Sequence, residues 1–214
     1  WDYLDPAFRA RRPIPLVLPP DVAGYDAWNA VWLIDGEVFP KRAGRGWHTF
    51  ATPPLSAIAR GKAAPIGAQT LTDVPARLAD MDAARIAIQV VLPTLFLVAL
   101  PDDPALEAAL CRSYNRFLSH ACAQSGGRLR FVAVLAWRDV PAAQAVLAEA
   151  HELGAVAAMA LGLAGDYPLG DPRFEPLYAD LSARGLPLVV HFGWGAPSLN
   201  RLFSDSTSSF CSAA

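Results

Sequence analysis

His191 ends an apolar run, Leu186-Pro-Leu-Val-Val-His191-Phe-Gly-Trp194, in which Pro187 to Val190 are hydrophobic at every position. That pattern predicts a buried parallel strand covered on both faces by helices, with the imidazole at its C-terminal tip. In α/β barrels metal ligands and catalytic groups sit at this point, where the strand breaks into a loop. The plainer reading is a strand-end histidine that only hydrogen-bonds a neighbouring carbonyl. Position alone leaves both open.

Other candidate groups follow similar runs. Thr94 and Phe96 come just after the apolar stretch Ile86 to Leu92, and Trp137-Arg138 comes after Leu129 to Ala136. Trp137 and Trp194 could form an apolar wall for an aromatic substrate, and Arg138 could pair with its carboxylate. The simpler expectation for Arg138 is a salt bridge to Asp139 or Glu149. His48, in the Gly- and Arg-rich stretch Gly46-Trp-His-Thr49, is placed to touch substrate if that segment folds over a barrel mouth; Arg42 and Arg45 are weaker candidates. His120 and His151 fall inside helices, where surface roles dominate. Ser204-Asp-Ser-Thr-Ser-Ser209 lacks the Gly-x-Ser-x-Gly elbow of a nucleophile and reads as a polar loop. Arg9-Ala-Arg-Arg12 reads as a solvated basic patch.

These groups need a frame that brings strand ends together. Residues 1–70 are rich in Pro, Trp and Arg with weak periodicity, which predicts an irregular but ordered segment packed over the rest. From residue 71 the text becomes regular. Thr72 or Asp73 caps a helix carried by Leu78 and Met81 to about Ala84, and the strand Ile86 to Leu92 stops at Pro93. Asp103 caps a helix from Pro104 to about Gln124, with Leu106, Leu110, Tyr114, Phe117 and Leu118 on one stripe. There follow a strand from Leu129 to Ala136, a helix from Val140 to Leu153 and a strand from Ala155 to Leu161. A helix from Arg173 to Ala183 then precedes the strand leading to His191. Four helix-then-strand units with buried-type strands imply a parallel sheet joined by right-handed crossovers. No Gly-x-Gly-x-x-Gly and no Gly-Lys-Ser/Thr phosphate loop follows a strand, which favours a (β/α)8 TIM barrel over a nucleotide-binding open sheet.

Composition removes other classes. The chain has 214 residues, is 53% hydrophobic and only 18% charged, which suits one domain, or part of one, with a large core. Its formal net charge of −2 supplies no basic field for nucleic acid. The longest apolar stretch, Ile86 to Leu100, is interrupted by Gln89, Pro93 and Thr94, so no membrane span is expected. No charged segment followed by an apolar run opens the chain, so no signal peptide is expected either. Cys111, Cys122 and Cys211 form an odd set without Cys-x-x-Cys spacing, as reduced thiols in a cytoplasmic protein do.

Several short stretches, in this order and spacing, resemble the amidohydrolase superfamily, in the branch around aminocarboxymuconate-semialdehyde decarboxylase. They are Trp1-Asp-Tyr-Leu-Asp-Pro-Ala-Phe-Arg9, Leu78-Ala-Asp-Met-Asp-Ala-Ala84, Pro93-Thr94, Tyr114-Asn-Arg-Phe117, Arg128-Leu-Arg-Phe-Val-Ala133, Leu153-Gly-Ala155, Pro168-Leu-Gly-Asp-Pro-Arg-Phe-Glu-Pro-Leu-Tyr178 and Pro187 to His191. The resemblance implies a (β/α)8 barrel with a divalent metal, commonly zinc, at its C-terminal mouth. Its ligands would be a His-x-His on the first strand, a histidine ending the fifth and an aspartate after the eighth, with a further histidine from the sixth assisting proton transfer. Only the fifth-strand position has a match here, His191. On this alignment residues 1–214 form a single, partial barrel domain: about strands two to five in residues 71–214, preceded by the Pro/Trp-rich segment. Four parallel strands cannot close a barrel, which takes about 250 residues. The expectation is therefore a portion of a longer polypeptide, or a reduced relative completed by a partner.

The function so implied is a metal-dependent enzyme acting on a small cyclic or aromatic carboxylate-bearing molecule. Either hydrolysis or non-oxidative decarboxylation fits, with His191 as a metal ligand and Trp194, Trp137, Thr94, Phe96 and His48 near the substrate. The expected partner is this small molecule, with no nucleic acid and no membrane and with room for a homodimer. The rival reading is a metal-free barrel relative that works as a scaffold.

Overall fold

A computed structural model of the chain describes residues 1–17, 30–39, 66–97 and 103–191. Its centre is a parallel sheet of four strands, β4 (Gln89–Val91), β5 (Leu129–Val134), β6 (Ala157–Leu161) and β9 (Leu188–His191). They lie side by side in the order in which they occur along the chain. An open doubly wound sheet reverses its strand order at a switch point; this sheet does not, which is the arrangement of a partial TIM barrel.

The connecting helices start where the sequence places their caps. Helix α2 (Val74–Ala83) follows a short α1 (Ile66–Thr70), and Asp73 accepts the Ala76 N–H at 3.0 Å. Asp103 caps α3 (Pro104–Ala123) through Ala105, and Asp139 caps α4 (Val140–Glu152) through Ala142. A 3-10 turn, Pro172–Phe174, leads into α5 (Glu175–Ala183). Each of α2 to α5 carries proline in its first turn, where the missing N–H breaks no helical bond.

The packed core lies where these helices meet β5 and β6. Phe131, Leu129, Leu106, Leu110, Leu147, Phe174 and Leu177 are fully buried in it. Asn115, buried on α3, performs a specific repair there. Its side-chain amide donates to the Val134 carbonyl and accepts from the Val134 N–H, both at 3.0 Å. Strand β4 has already ended, its last pair being Val91 with Phe131, so an amide replaces the strand that no longer reaches Val134.

Three expectations are corrected. The segment 1–70 is not wholly irregular, since it contains an antiparallel sheet, β1 (Ile14–Val17), β2 (Ala30–Ile34) and β3 (Glu37–Phe39). The β2–β3 hairpin turns on Asp35-Gly36, both at positive φ (51° and 84°), the Asp-Gly signature of a two-residue turn that the surrounding prolines obscure. The strand expected over Ile86 to Leu92 pairs only at Gln89–Val91. Arg128 takes the Ile86 and Ala87 carbonyls for its guanidinium, and Pro93 has no N–H to offer beyond the strand. Finally, β9 is not buried throughout: Leu188, Val189 and His191 are half-buried and Val190 is 59% exposed.

Arginines fasten the N-terminal segment to this frame. Arg112 and Arg116 of α3 both hold Asp5, with contacts of 2.7 and 2.6 Å, and Arg116 continues to Glu149 of α4. Burial alone would raise the Asp5 pKa, but the hydrogen bonds from Arg116 and Arg112 more than reverse this and hold the carboxyl below its usual range. Arg11 joins Asp35 of the β2–β3 turn to the cap residue Asp103.

Candidate functional site

All four parallel strands point their C-terminal ends the same way, so the groups just beyond them share one rim. His191 is the last residue of β9, half-buried, and pairs in register with Leu161 at the end of β6. Trp137 lies beyond β5 and is buried. Its indole N–H donates to the Met159 carbonyl of β6 at 2.8 Å, and its ring packs edge-on against Phe174 at 5.5 Å. Trp137 thus closes the seam between two strands and packs against the segment leading into α5. Phe96, also buried, sits 5.1 Å from the Tyr114 ring and 6.5 Å from Trp1, while Thr94 is exposed beyond β4. The structure therefore ranges Thr94, Phe96, Trp137 and His191 along one end of the sheet, with both aromatic rings packed into the protein. Trp194, His48, Arg42, Arg45 and Ser204 to Ser209 lie outside the described residues.

His120 and His151 occupy the last turns of α3 and α4, at the opposite end of the strands. Arg138 corrects another expectation. Its Nε donates to Glu107 of α3 at 2.8 Å, not to Asp139 or Glu149. Asp139 is engaged in capping α4, and Glu149 is held by Arg116. Both side chains of the Glu107–Arg138 pair are well enclosed, at 13% and 16% exposure. Burial raises the Glu107 pKa, Arg138 opposes that, and the nearby Asp139 charge adds to the rise. Sequence reasoning missed Glu107, although an acidic residue in a helix's first turn, beside an otherwise apolar stripe, was the available signal. Burial also pushes the Cys111 thiol and the Tyr114 hydroxyl upward, so neither offers an anion at neutral pH.

As to a metal, no three His, Cys, Asp or Glu side chains come together among the described residues. A catalytic zinc takes three protein ligands and keeps one position open. His191 supplies one donor of the right kind and at the right end of the sheet, so the described residues do not by themselves fit the ion.

The family model for amidohydrolases matches residues 25–207. The chain belongs to the amidohydrolase family. Among solved structures, this amidohydrolase chain is similar to 2,6-dihydroxybenzoate decarboxylase complexed with 2,6-dihydroxybenzoate. The identity is 25%, over 61% of this chain and 43% of that one, with a TM-score of 0.52. It is also similar to an amidohydrolase from Mycobacterium avium subsp. paratuberculosis K-10, at 16% identity and a TM-score of 0.62. That match covers 98% of this chain and 58% of the other, and it bears on the fold alone. The chain thus spans roughly half the length of these relatives. No curated protein matches the sequence. No helix among the described residues is long and apolar enough to cross a membrane.

Proposed function

We propose that this amidohydrolase-family chain contributes the substrate-facing rim of a metal-dependent enzyme that decarboxylates a small aromatic carboxylic acid without oxidation. The observation that carries the reading is His191 at the C-terminal tip of a parallel strand, in a chain similar to a decarboxylase bound to a dihydroxybenzoate. A divalent ion, zinc in the first instance, would supply Lewis acidity when bound, with His191 as one ligand and the others from outside the described residues. The described residues of the rim do simpler things. Thr94 and Phe96 border the rim beyond β4, Trp137 closes the seam between β5 and β6, and Trp194 and His48 are assigned to the substrate from the sequence.

A second reading keeps the same site and replaces loss of CO2 by hydrolysis of an amide, ester or lactone, which the family's description favours. The odd, widely spaced cysteines of the sequence support a cytoplasmic location, and the proposal includes a small molecule as partner, with room for a homodimer. The test is to supply hydroxybenzoates and cyclic esters or amides to the full-length, metal-supplemented protein, measuring CO2 release and carboxylate release in parallel. CO2 release abolished by His191→Ala and by chelation is the expected result. Carboxylate release alone selects hydrolysis; no turnover of any kind, with no metal retained, selects the scaffold.

A further inference from the structure

Three successive strands send their rim segments to a single side chain. Glu107 stands in the first turn of α3, which follows β4, while Arg138 stands in the loop after β5. After β6 comes a small hairpin, β7 (Leu163–Ala164) and β8 (Tyr167–Pro168), turning on Gly165 and Asp166. Gly165 has φ +62°, and a Cβ added there would lie 3.2 Å from Cγ of Arg138. The arginine's methylene stem therefore runs against the hairpin turn while its guanidinium is fixed on Glu107.

Among the described residues, the charged and titratable groups around the pair come from α3 and the β5–α4 loop: Cys111, one turn along from Glu107, with Arg112 beside it, and Asp139 next to Arg138. Since the pair is well enclosed, losing the arginine would strand a carboxylate in the protein. The hairpin has a second, outward anchor, the Arg173 guanidinium stacked 3.1 Å over the Tyr167 ring, which serves as an internal control.

We propose that Arg138 is a positioning residue: anchored on Glu107, it holds the β7–β8 hairpin in place at the rim where His191 ends. The reading above enters only in making that rim the place where substrate binds. The role is tested by hydrogen exchange on the full-length protein without substrate, comparing Arg138→Gln, Arg138→Met, Arg173→Gln and the double variant Glu107→Gln/Arg138→Gln. The Gln and Met variants should exchange residues 163–167 roughly tenfold faster while β5 and β6 keep their protection. The double variant should be no looser than Arg138→Gln, because the Glu107–Arg138 contact is already lost in the single variant. Arg173→Gln should change the hairpin less than either. Unchanged hairpin exchange in Arg138→Met, or a loosening spread evenly over β5, β6 and α3, would overturn the proposal. With any substrate the wild type turns over, Arg138→Gln should raise KM severalfold at nearly constant kcat; a loosened hairpin with KM unmoved would remove the positioning role. Absence of wild-type turnover counts against the proposed chemistry only, and the exchange result then decides this assignment.

Discussion

Strands β5 and β6 differ from β4 and β9 in burial far more than in composition. All four are built mainly from Val, Leu and Ala. Apart from Arg130 the central pair is buried or nearly so, whereas Val90 of β4 is 48% exposed and Val190 of β9 is 59% exposed. Ile88, just before β4, stands 61% exposed. The difference comes from neighbours. Each central strand has a strand on both sides and helices packed against it, while each outer strand has one strand neighbour among the described residues. Hydrophobic character says that a residue can be buried; topology decides whether it is.

The strongest way to break that contrast is truncation. Phe131→Ala on β5 should cost about 3–5 kcal/mol in urea unfolding, since it opens a cavity in an enclosed site. A loss no larger than that of an outer-strand valine would mean that the centre is not packed as described. Next in size is Asn115→Leu, which leaves the Val134 N–H and carbonyl without partners and should cost about 2–3 kcal/mol. An unchanged denaturation midpoint there would mean that something else satisfies the strand.

Enclosed and more open surroundings also separate two carboxylates, with opposite signs. The folded-state pKa of Asp5 lies below its ordinary value of 3.8, so its contribution is present above that value and fades as pH falls through the folded pKa. The advantage of wild type over Asp5→Asn, about 1 kcal/mol at neutral pH, should therefore shrink in acid. Glu107 is raised above its ordinary value of 4.5, so its contribution is present below that value and is lost as pH rises through the folded pKa. Glu107→Gln should therefore gain on wild type as pH increases from that point. Thermal melts across a pH series give both slopes, and parallel slopes would refute the contrast. The smallest effects belong to the outer strands: Val90→Thr and Val190→Thr should each shift stability by less than about 0.5 kcal/mol. A larger loss would show that those positions are covered in solution.

Much of this architecture was readable in the residues. Asp73, Asp103 and Asp139, each followed by a proline in the first helical turn, mark three helix starts, and the alternation of helix with apolar strand sets the sheet's parallel order. What escaped depended on contacts between distant parts of the chain. Arg128 shortens β4 from 41 and 42 residues away, and the partner of Arg138 follows from which carboxylates are already engaged. The Asp35-Gly36 turn was local and legible, but proline-rich surroundings hid it. At the rim, the strand-end placement of His191 could be read from its run, while the burial of Trp137 and Phe96 follows from the aromatic rings of other segments.

One consequence attaches to Asn115. Its carboxamide presents a donor to one backbone atom of Val134 and an acceptor to the other, a pairing that no carboxylate can reproduce. Spontaneous deamidation would turn the donor into a second acceptor and set a negative charge against a carbonyl oxygen in the interior. The helical backbone around Asn115 opposes the rearrangement that such chemistry requires. Ageing of this protein at that position should thus be slower while it stays folded than once α3 frays, so that a unit mass gain at Asn115 would record past unfolding.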